Sequence, residues 1–180
     1  MLWRVAFPLV VMIAILLPVD SLGQPVGPDV PKEIAVPPGY KLLLKLEANG
    51  VQIYKAVEGK AGKPEWVLEA PLANLVDEKR GKAGWHYEGP SWEAADGSKV
   101  VRDKAAEVKS APAPRPQEDI PWLLVKVKAA ESKDGTLSPA AYVQRLQTEG
   151  GKAPAELPKR VGTKIGVPYK AVYYFYGHVD

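Results

Sequence analysis

The chain has no cysteine, and only two histidines, two methionines and two phenylalanines occur among its 180 residues. Without cysteine it can form no disulfide, present no thiolate nucleophile and build no cysteine–zinc site. A chain of this composition must be held by its core alone. The two histidines, His86 and His178, lie far apart and in no ligand spacing, so a metal centre built from them and carboxylates is not expected. No G-x-G-x-x-G, P-loop lysine or G-x-S-x-G elbow occurs, and Ser91 merely follows a proline in a turn, so neither a nucleotide cofactor nor an activated serine is expected. "DGS" from Asp96 and "DGT" from Asp134 begin as calcium loops do, but the alternating acids of such a loop do not follow; they read as turns. Charge of one sign is also scarce. With 24 basic and 21 acidic side chains the net is +3, and the lysines are scattered rather than striped, which argues against nucleic acid or an anionic membrane as a partner.

Long apolar runs are missing too, except at the start. Arg4 precedes "VAFPLVVMIAILLPV" (Val5 to Val19), and Ser21 and Gly23 are small residues at the −3 and −1 positions of a cut before Gln24. This is the three-part pattern of a secretory signal peptide over residues 1–23. An uncleaved anchor is the competing reading, but Pro8, Pro18 and Asp20 keep the run below the ~20 residues a spanning helix needs. No cysteine stands at the cut for lipid attachment, and no Arg-Arg pair suggests the twin-arginine route. The expectation is an exported protein, periplasmic or extracellular, with no membrane association after cleavage.

Proline, by contrast, is abundant, at 18 residues. "QPVGPDVPKEIAVPPG" (24–39) reads as an extended N-terminal arm, "APAPRPQED" (111–119) as a polyproline-like connection, and "GGKAPAELPKRVGTKIGVP" (150–168) as a long ordered loop or meander. Residues 40–180 then form one domain. Short alternating runs lie between these segments. "KLLLKLE" (41–47) followed by "ANG" and "VQIYKAV" (51–57) predicts a hairpin. "EWVLEA" (65–70) predicts a short strand. In "IPWLLVKVKAAE" (120–131), Leu123, Val125, Val127 and Ala129 share one face. "KAVYYFYGHV" (170–179) is bulky on both faces and is placed centrally or lining a cavity. "KVVRDKAAEVK" (99–109) leans to strand after the Asp96–Gly97 turn. Over 138–149, Ser138 as a cap, Pro139 at the first helical position and the Gly150–Gly151 stop favour a short helix, with strand left open. The fold class expected is mainly β, an antiparallel sandwich or barrel with long proline-rich loops and at most one or two short helices; α+β is the alternative.

"GVQIYKA", "HYEGPSWEAADGSKV", "IPWLLVK", "VQRLQTEGGKAP" and "VPYKAVYYFY" occur in this order. Together they resemble domain-of-unknown-function family 3455 of exported bacterial and fungal proteins, from about Pro37 to Tyr176. The resemblance implies one extracytoplasmic domain and brings no established activity. Members of that family often carry one cysteine just after the "GVQIY" tyrosine and another shortly after "GGxAP". Ala56 and Leu157–Pro158 stand there in this chain, which implies a lost disulfide and a long loop held by packing.

Residues 85–98, "WHYEGPSWEAADGS", concentrate the chemistry. Alternation puts Trp85 and Tyr87 on one face and His86 and Glu88 on the other. Read as packing, Trp85, Tyr87 and Trp92 are core aromatics and Asp96 caps its own turn. Read as chemistry, His86 with Glu88 or Glu93 makes a general base with an orienting carboxylate, as in a cofactor-free hydrolase or isomerase. Arg145, one of few arginines, pairs with a buried acid or grips an anion on a ligand. The aromatic inventory points to binding, since aromatic platforms on sheets stack sugars and flat apolar molecules. The candidate ligand residues are His86, Tyr87, Glu88, Trp92, Glu93, Trp122, Arg145 and Tyr174. The function expected is a binding module for a small or glycan-like ligand. An envelope or surface structural protein and a His86-based enzyme are the alternatives.

Overall fold

Period-two alternation becomes nine antiparallel strands in a computed structural model that describes residues 27–79, 81–130 and 134–179. They are β1 (Tyr40–Glu58), β2 (Pro64–Asp77), β3 (Gly81–Tyr87), β4 (Ser91–Ala94), β5 (Lys99–Arg102), β6 (Lys109–Ala111), β7 (Trp122–Ala129), β8 (Ala140–Gly150) and β9 (Lys164–His178). Their order in the sheet is β5-β4-β3-β2-β1-β9-β8-β7-β6, and β5 also pairs with β7. That last pairing closes the sheet into a ring. β5 lies against Val127–Ala129 and β6 against Trp122–Leu124 of the same strand. The two short strands therefore act as one broken stave, and nine strands make an eight-stave barrel. Closure leaves no long unpaired edge. The protein is mainly β, with 3₁₀ turns at Lys32–Ile34 and Lys60–Gly62 as its helical elements among the described residues.

Two sequence expectations give way here. The hairpin expected across Asn49–Gly50 does not form: β1 runs unbroken through both residues, pairing with β2 on one side and β9 on the other. Gly50 serves close approach rather than a turn, because a Cβ there would lie 2.1 Å from the Leu72 carbonyl oxygen and 2.5 Å from the Ala73 Cα. The helix favoured over 138–149 is strand β8 instead, paired with both β7 and β9. Ser138 and Pro139 lie in the turn before it, and "AAYVQRLQ" alternates between the two faces of the barrel wall. Tertiary pairing overrides the capping signals. The expected signal peptide over 1–23 lies outside the described residues.

The wall separates two apolar clusters. Leu46, Leu75, Val100, Val127 and Phe175 fill the interior with Tyr173 and Trp92. Alternate residues of β7, β8 and β9, including Leu124, Leu146, Val172, Tyr174 and Tyr176, face outward, where Ile34, Val30 and Val36 of the arm cover them. The arm is latched by polar contacts. The Gln144 amide donates to the Ile34 carbonyl (2.7 Å) and accepts from the Tyr176 hydroxyl (2.8 Å). Burial, with the nearby Tyr174, pushes the Tyr176 phenol up to about 12, so it stays a neutral donor.

One end of the barrel is plugged. The β4–β5 turn and the segment before β8 interlock through Asp96. One carboxylate oxygen accepts from the Ser98 N–H and hydroxyl (2.8 and 2.6 Å), the other from the Thr136 N–H and hydroxyl (2.8 and 2.7 Å). The Ser98 hydroxyl oxygen in turn accepts from the Leu137 N–H (3.0 Å), which sets the fully buried Leu137 side chain into the interior cluster. "DGS" and "DGT" are thus turns, as read, and they clasp each other.

The long β8–β9 connection lies at the opposite end. Where the family resemblance implies a disulfide in other members, backbone bonds fix it here: Ala56 N–H donates to Thr163 O and Gly162 N–H to Ala56 O, both at 2.8 Å. Ala56 and Pro158 are buried.

Candidate functional site

At the end remote from the Asp96 clasp the interior is not filled. A cavity of about 420 Å³ lies there, within the ~300–1,000 Å³ of small-ligand sites and in keeping with eight-stave barrels that hold one small molecule. The staves supply its walls in alternation: Gln52 and Tyr54 from β1, His86 from β3, Trp92 from β4, Val143 and Arg145 from β8 and Tyr173 from β9. Ile120, Pro121, Leu123 and Val125 close one side; Leu68, Pro90, Arg102 and Lys152 stand nearer the mouth.

Three rings form its aromatic wall. His86 stacks on Trp92 with centroids 4.5 Å apart and planes 11° off parallel, and Tyr173 meets both edge-on at 5.0 and 5.8 Å. β3 and β4 are joined by the Gly89–Pro90 turn, and their register places His86 directly opposite Trp92. The His86 Nδ1 lies 2.8 Å from the Ser91 carbonyl. Nδ1 therefore carries the proton and donates, and Nε2 is a bare acceptor. Burial lowers the His86 pKa to about 3, against the upward pull of the Ser91 carbonyl and with a further lowering by the charge of Arg145. The ring is neutral at any physiological pH.

Arg145 crosses this space from β8. Its Nε and Nη2 donate to the Pro121 carbonyl at 3.2 and 2.9 Å, fastening the proline-rich connection to the barrel mouth. The neighbouring carboxylate is committed elsewhere. Asp119 is buried, accepts from Arg115 at 3.0 Å and receives the Gly150 N–H at 2.6 Å. Around Arg145 stand neutral phenols whose pKa values burial raises: Tyr54, which donates to Gly151 O at 2.7 Å, Tyr169 and Tyr173. Among the described residues no Asp or Glu lines the cavity. The Gln52 amide nitrogen, the Trp92 indole nitrogen and the Arg102 Nε are, among the described residues, buried without a protein partner.

The structure divides the residues expected at the site. His86, Trp92 and Arg145 come together in the cavity. The pairing expected between His86 and a carboxylate does not form. Glu93 stands opposite Trp85 in the β3–β4 register and accepts a short hydrogen bond from the Tyr87 hydroxyl on the outer face. Glu88 lies in the turn, where its backbone carbonyl accepts from the Ser91 hydroxyl. A two-residue alternation with one intervening turn sets this arrangement: residues opposite each other share a face, so His86 goes with Trp92 and Glu93 with Trp85. Trp85 and Tyr87, expected in the core, are on that outer face as well. Trp85 is 37% exposed under Lys82, and Tyr87 lies under Lys99. Trp122 and Tyr174 belong to the outer cluster beneath the arm. Among the described residues no group of three potential ligands converges for a metal ion.

Sequence reasoning missed Gln52, Tyr54, Arg102, Val143 and Tyr173. Val143 and Arg145 have the same parity, so reading β8 as a strand brings Val143 in. Tyr173 differs from Tyr174 only by strand parity, which a run bulky on both faces does not reveal. Gln52 was hidden by the hairpin expected just before it.

The family model described as a protein of unknown function, DUF3455, matches residues 37–177. No curated protein and no solved structure matches the chain.

Proposed function

The chain belongs to the DUF3455 family of proteins of unknown function, and we propose that this member is an exported binding module that holds one small ligand inside the open end of its barrel. The observation that carries this reading is the cavity itself. A well-packed interior leaves few voids larger than water, yet here about 420 Å³ lies beside a His86–Trp92–Tyr173 ring wall and buried donors with no protein partner. A flat, largely apolar molecule suits the wall; sugar stacking uses the same ring faces but brings several hydroxyls, and the lining offers few acceptors to meet them. The first 23 residues support export.

Catalysis finds little support. Neutral His86 has no carboxylate to orient it, and with a pKa near 3 it is a poor base at neutral pH.

The test is tryptophan emission titrated with small aromatic compounds and with oligosaccharides, in the wild type and in Trp92→Phe. Saturable change with an aromatic compound, lost in Trp92→Phe, is expected. Change with oligosaccharides alone, or change that survives the substitution, would refute an interior apolar site.

A further inference from the structure

Donors outnumber acceptors around the cavity. Gln52 is 1% and Trp92 2% exposed, and neither the Gln52 amide nitrogen nor the Trp92 indole nitrogen has a protein acceptor. The Gln52 amide lies beside the Tyr169 hydroxyl without making a well-formed hydrogen bond. The buried Arg102 Nε is likewise unpartnered. An arginine presents five N–H groups in a planar fork, and the 9%-exposed Arg145 directs two of its nitrogens at one carbonyl oxygen. Among the described residues Arg145 has no ion pair. Arg102, Arg145 and Lys152 thus border a cavity to which no described Asp or Glu contributes.

Burying a cation with no counter-charge is costly, and the usual remedy is a paired anion. A structural account explains part of Arg145, its grip on Pro121. It explains neither the second arginine nor the unmatched Gln52 and Trp92 donors. A ligand that supplies acceptor oxygens and one negative charge would give Arg145 the counter-charge that the cavity lining lacks. The apolar remainder of the lining (Ile120, Leu123, Val125 and Val143) suits an apolar body behind that charged group.

We propose that the ligand is a small carboxylate with a flat apolar body, its ring against Trp92 and His86 and its carboxylate on Arg145, with Arg102 and Lys152 guiding it through the mouth. This rests on the cavity being the binding site and adds the charge and chemical class of what it takes. A planar carboxylate matches the arginine fork in bidentate fashion, and screening by salt is weak inside the barrel.

Calorimetric titration of the mature protein with 2-naphthoate, its uncharged analogue 2-naphthamide and 2-naphthalenesulfonate separates the terms. 2-Naphthoate is expected to bind on the order of tenfold or more tighter than the amide, and Arg145→Met to abolish that preference, the acid losing far more affinity than the amide. Equal binding of acid and amide by the wild type would overturn the charge assignment and leave the binding reading standing. No binding of any of the three would overturn both. Tighter binding of the sulfonate would replace the carboxylate with a tetrahedral oxyanion. Should Arg145→Met fail to fold, the wild-type comparison still decides, together with Arg102→Gln, which is expected to weaken the acid several-fold and the amide less.

Discussion

The two ends of the barrel are built from the same strands and differ in what the strands enclose. At the clasped end, Leu46, Leu75, Val100, Leu137 and Phe175 meet with essentially no exposure, and Asp96 ties the turns beneath them. At the open end, the same alternation delivers His86, Trp92, Arg145 and Gln52 around unfilled space. Close packing without polar atoms contributes stability; a cavity with unmatched donors and a buried cation does not. The contrast teaches that one end holds the fold and the other gives up part of that stability to an unfilled, polar-lined cavity.

Truncation breaks the comparison most strongly. Phe175→Ala is expected to lose ~3–5 kcal/mol, because the fully buried ring leaves a void its neighbours cannot fill. Leu123→Ala, whose half-buried side chain already borders the cavity, should cost only ~1 kcal/mol. Urea midpoints of the two variants measure the difference; similar losses would show the ends to be equivalent.

The next effect is a pH dependence belonging to the open end. His86 has a folded pKa of about 3, below its ordinary 6.5. Between those values the unfolded chain binds the proton that the native state refuses, so stability is full above about pH 6.5 and falls as the pH drops toward 3. The slope approaches ~1.4 kcal/mol per pH unit, giving about 2 kcal/mol between pH 6.5 and 5. His86→Phe should flatten this part of the curve, as read from denaturation midpoints at several pH values.

A smaller effect belongs to the clasp. Hydrogen bonds from Ser98 and Thr136 hold the Asp96 carboxyl well below its usual range. Its contribution is therefore present above about pH 4 and is lost as the pH falls below that. Asp96→Asn leaves two Thr136 donors facing an amide nitrogen. It should cost only about 1 kcal/mol at pH 7, given its exposure, and the gap from the wild type should close in acid. The smallest change is outside the barrel. Tyr87→Phe removes a donor to Glu93 on the outer face and should alter stability by less than ~0.5 kcal/mol, with no effect on ligand titrations.

Much of the wall was legible in the sequence. Alternation in Leu123–Ala129 and the double-faced run from Lys170 to Val179 gave a β7 face and a central β9, and Gly–Pro punctuation gave turns at Gly89–Pro90 and Asp96–Gly97. The errors share one physical cause. Local signals describe a segment alone, whereas β8 is a strand because β7 and β9 pair with it. Gly50 sits mid-strand because β2 approaches too closely for a side chain. The site was half legible for the same reason. Residue types flagged His86, Trp92 and Arg145, but only register decides that Glu93 faces away from His86 and that Tyr173 rather than Tyr174 faces in.

The central claim, that the open end is the binding site, is tested most directly by the indole N–H resonances of the ¹⁵N-labelled protein titrated with 2-naphthoate. Trp92 is in the cavity wall with its indole nitrogen unpartnered, whereas the Trp66 indole donates to the Glu156 carbonyl at 3.0 Å and Trp85 lies on the outer face. The account predicts a saturable shift of the Trp92 indole signal while those of Trp66 and Trp85 stay in place. A stationary Trp92 signal, or shifts confined to Trp66 or Trp85, would contradict it.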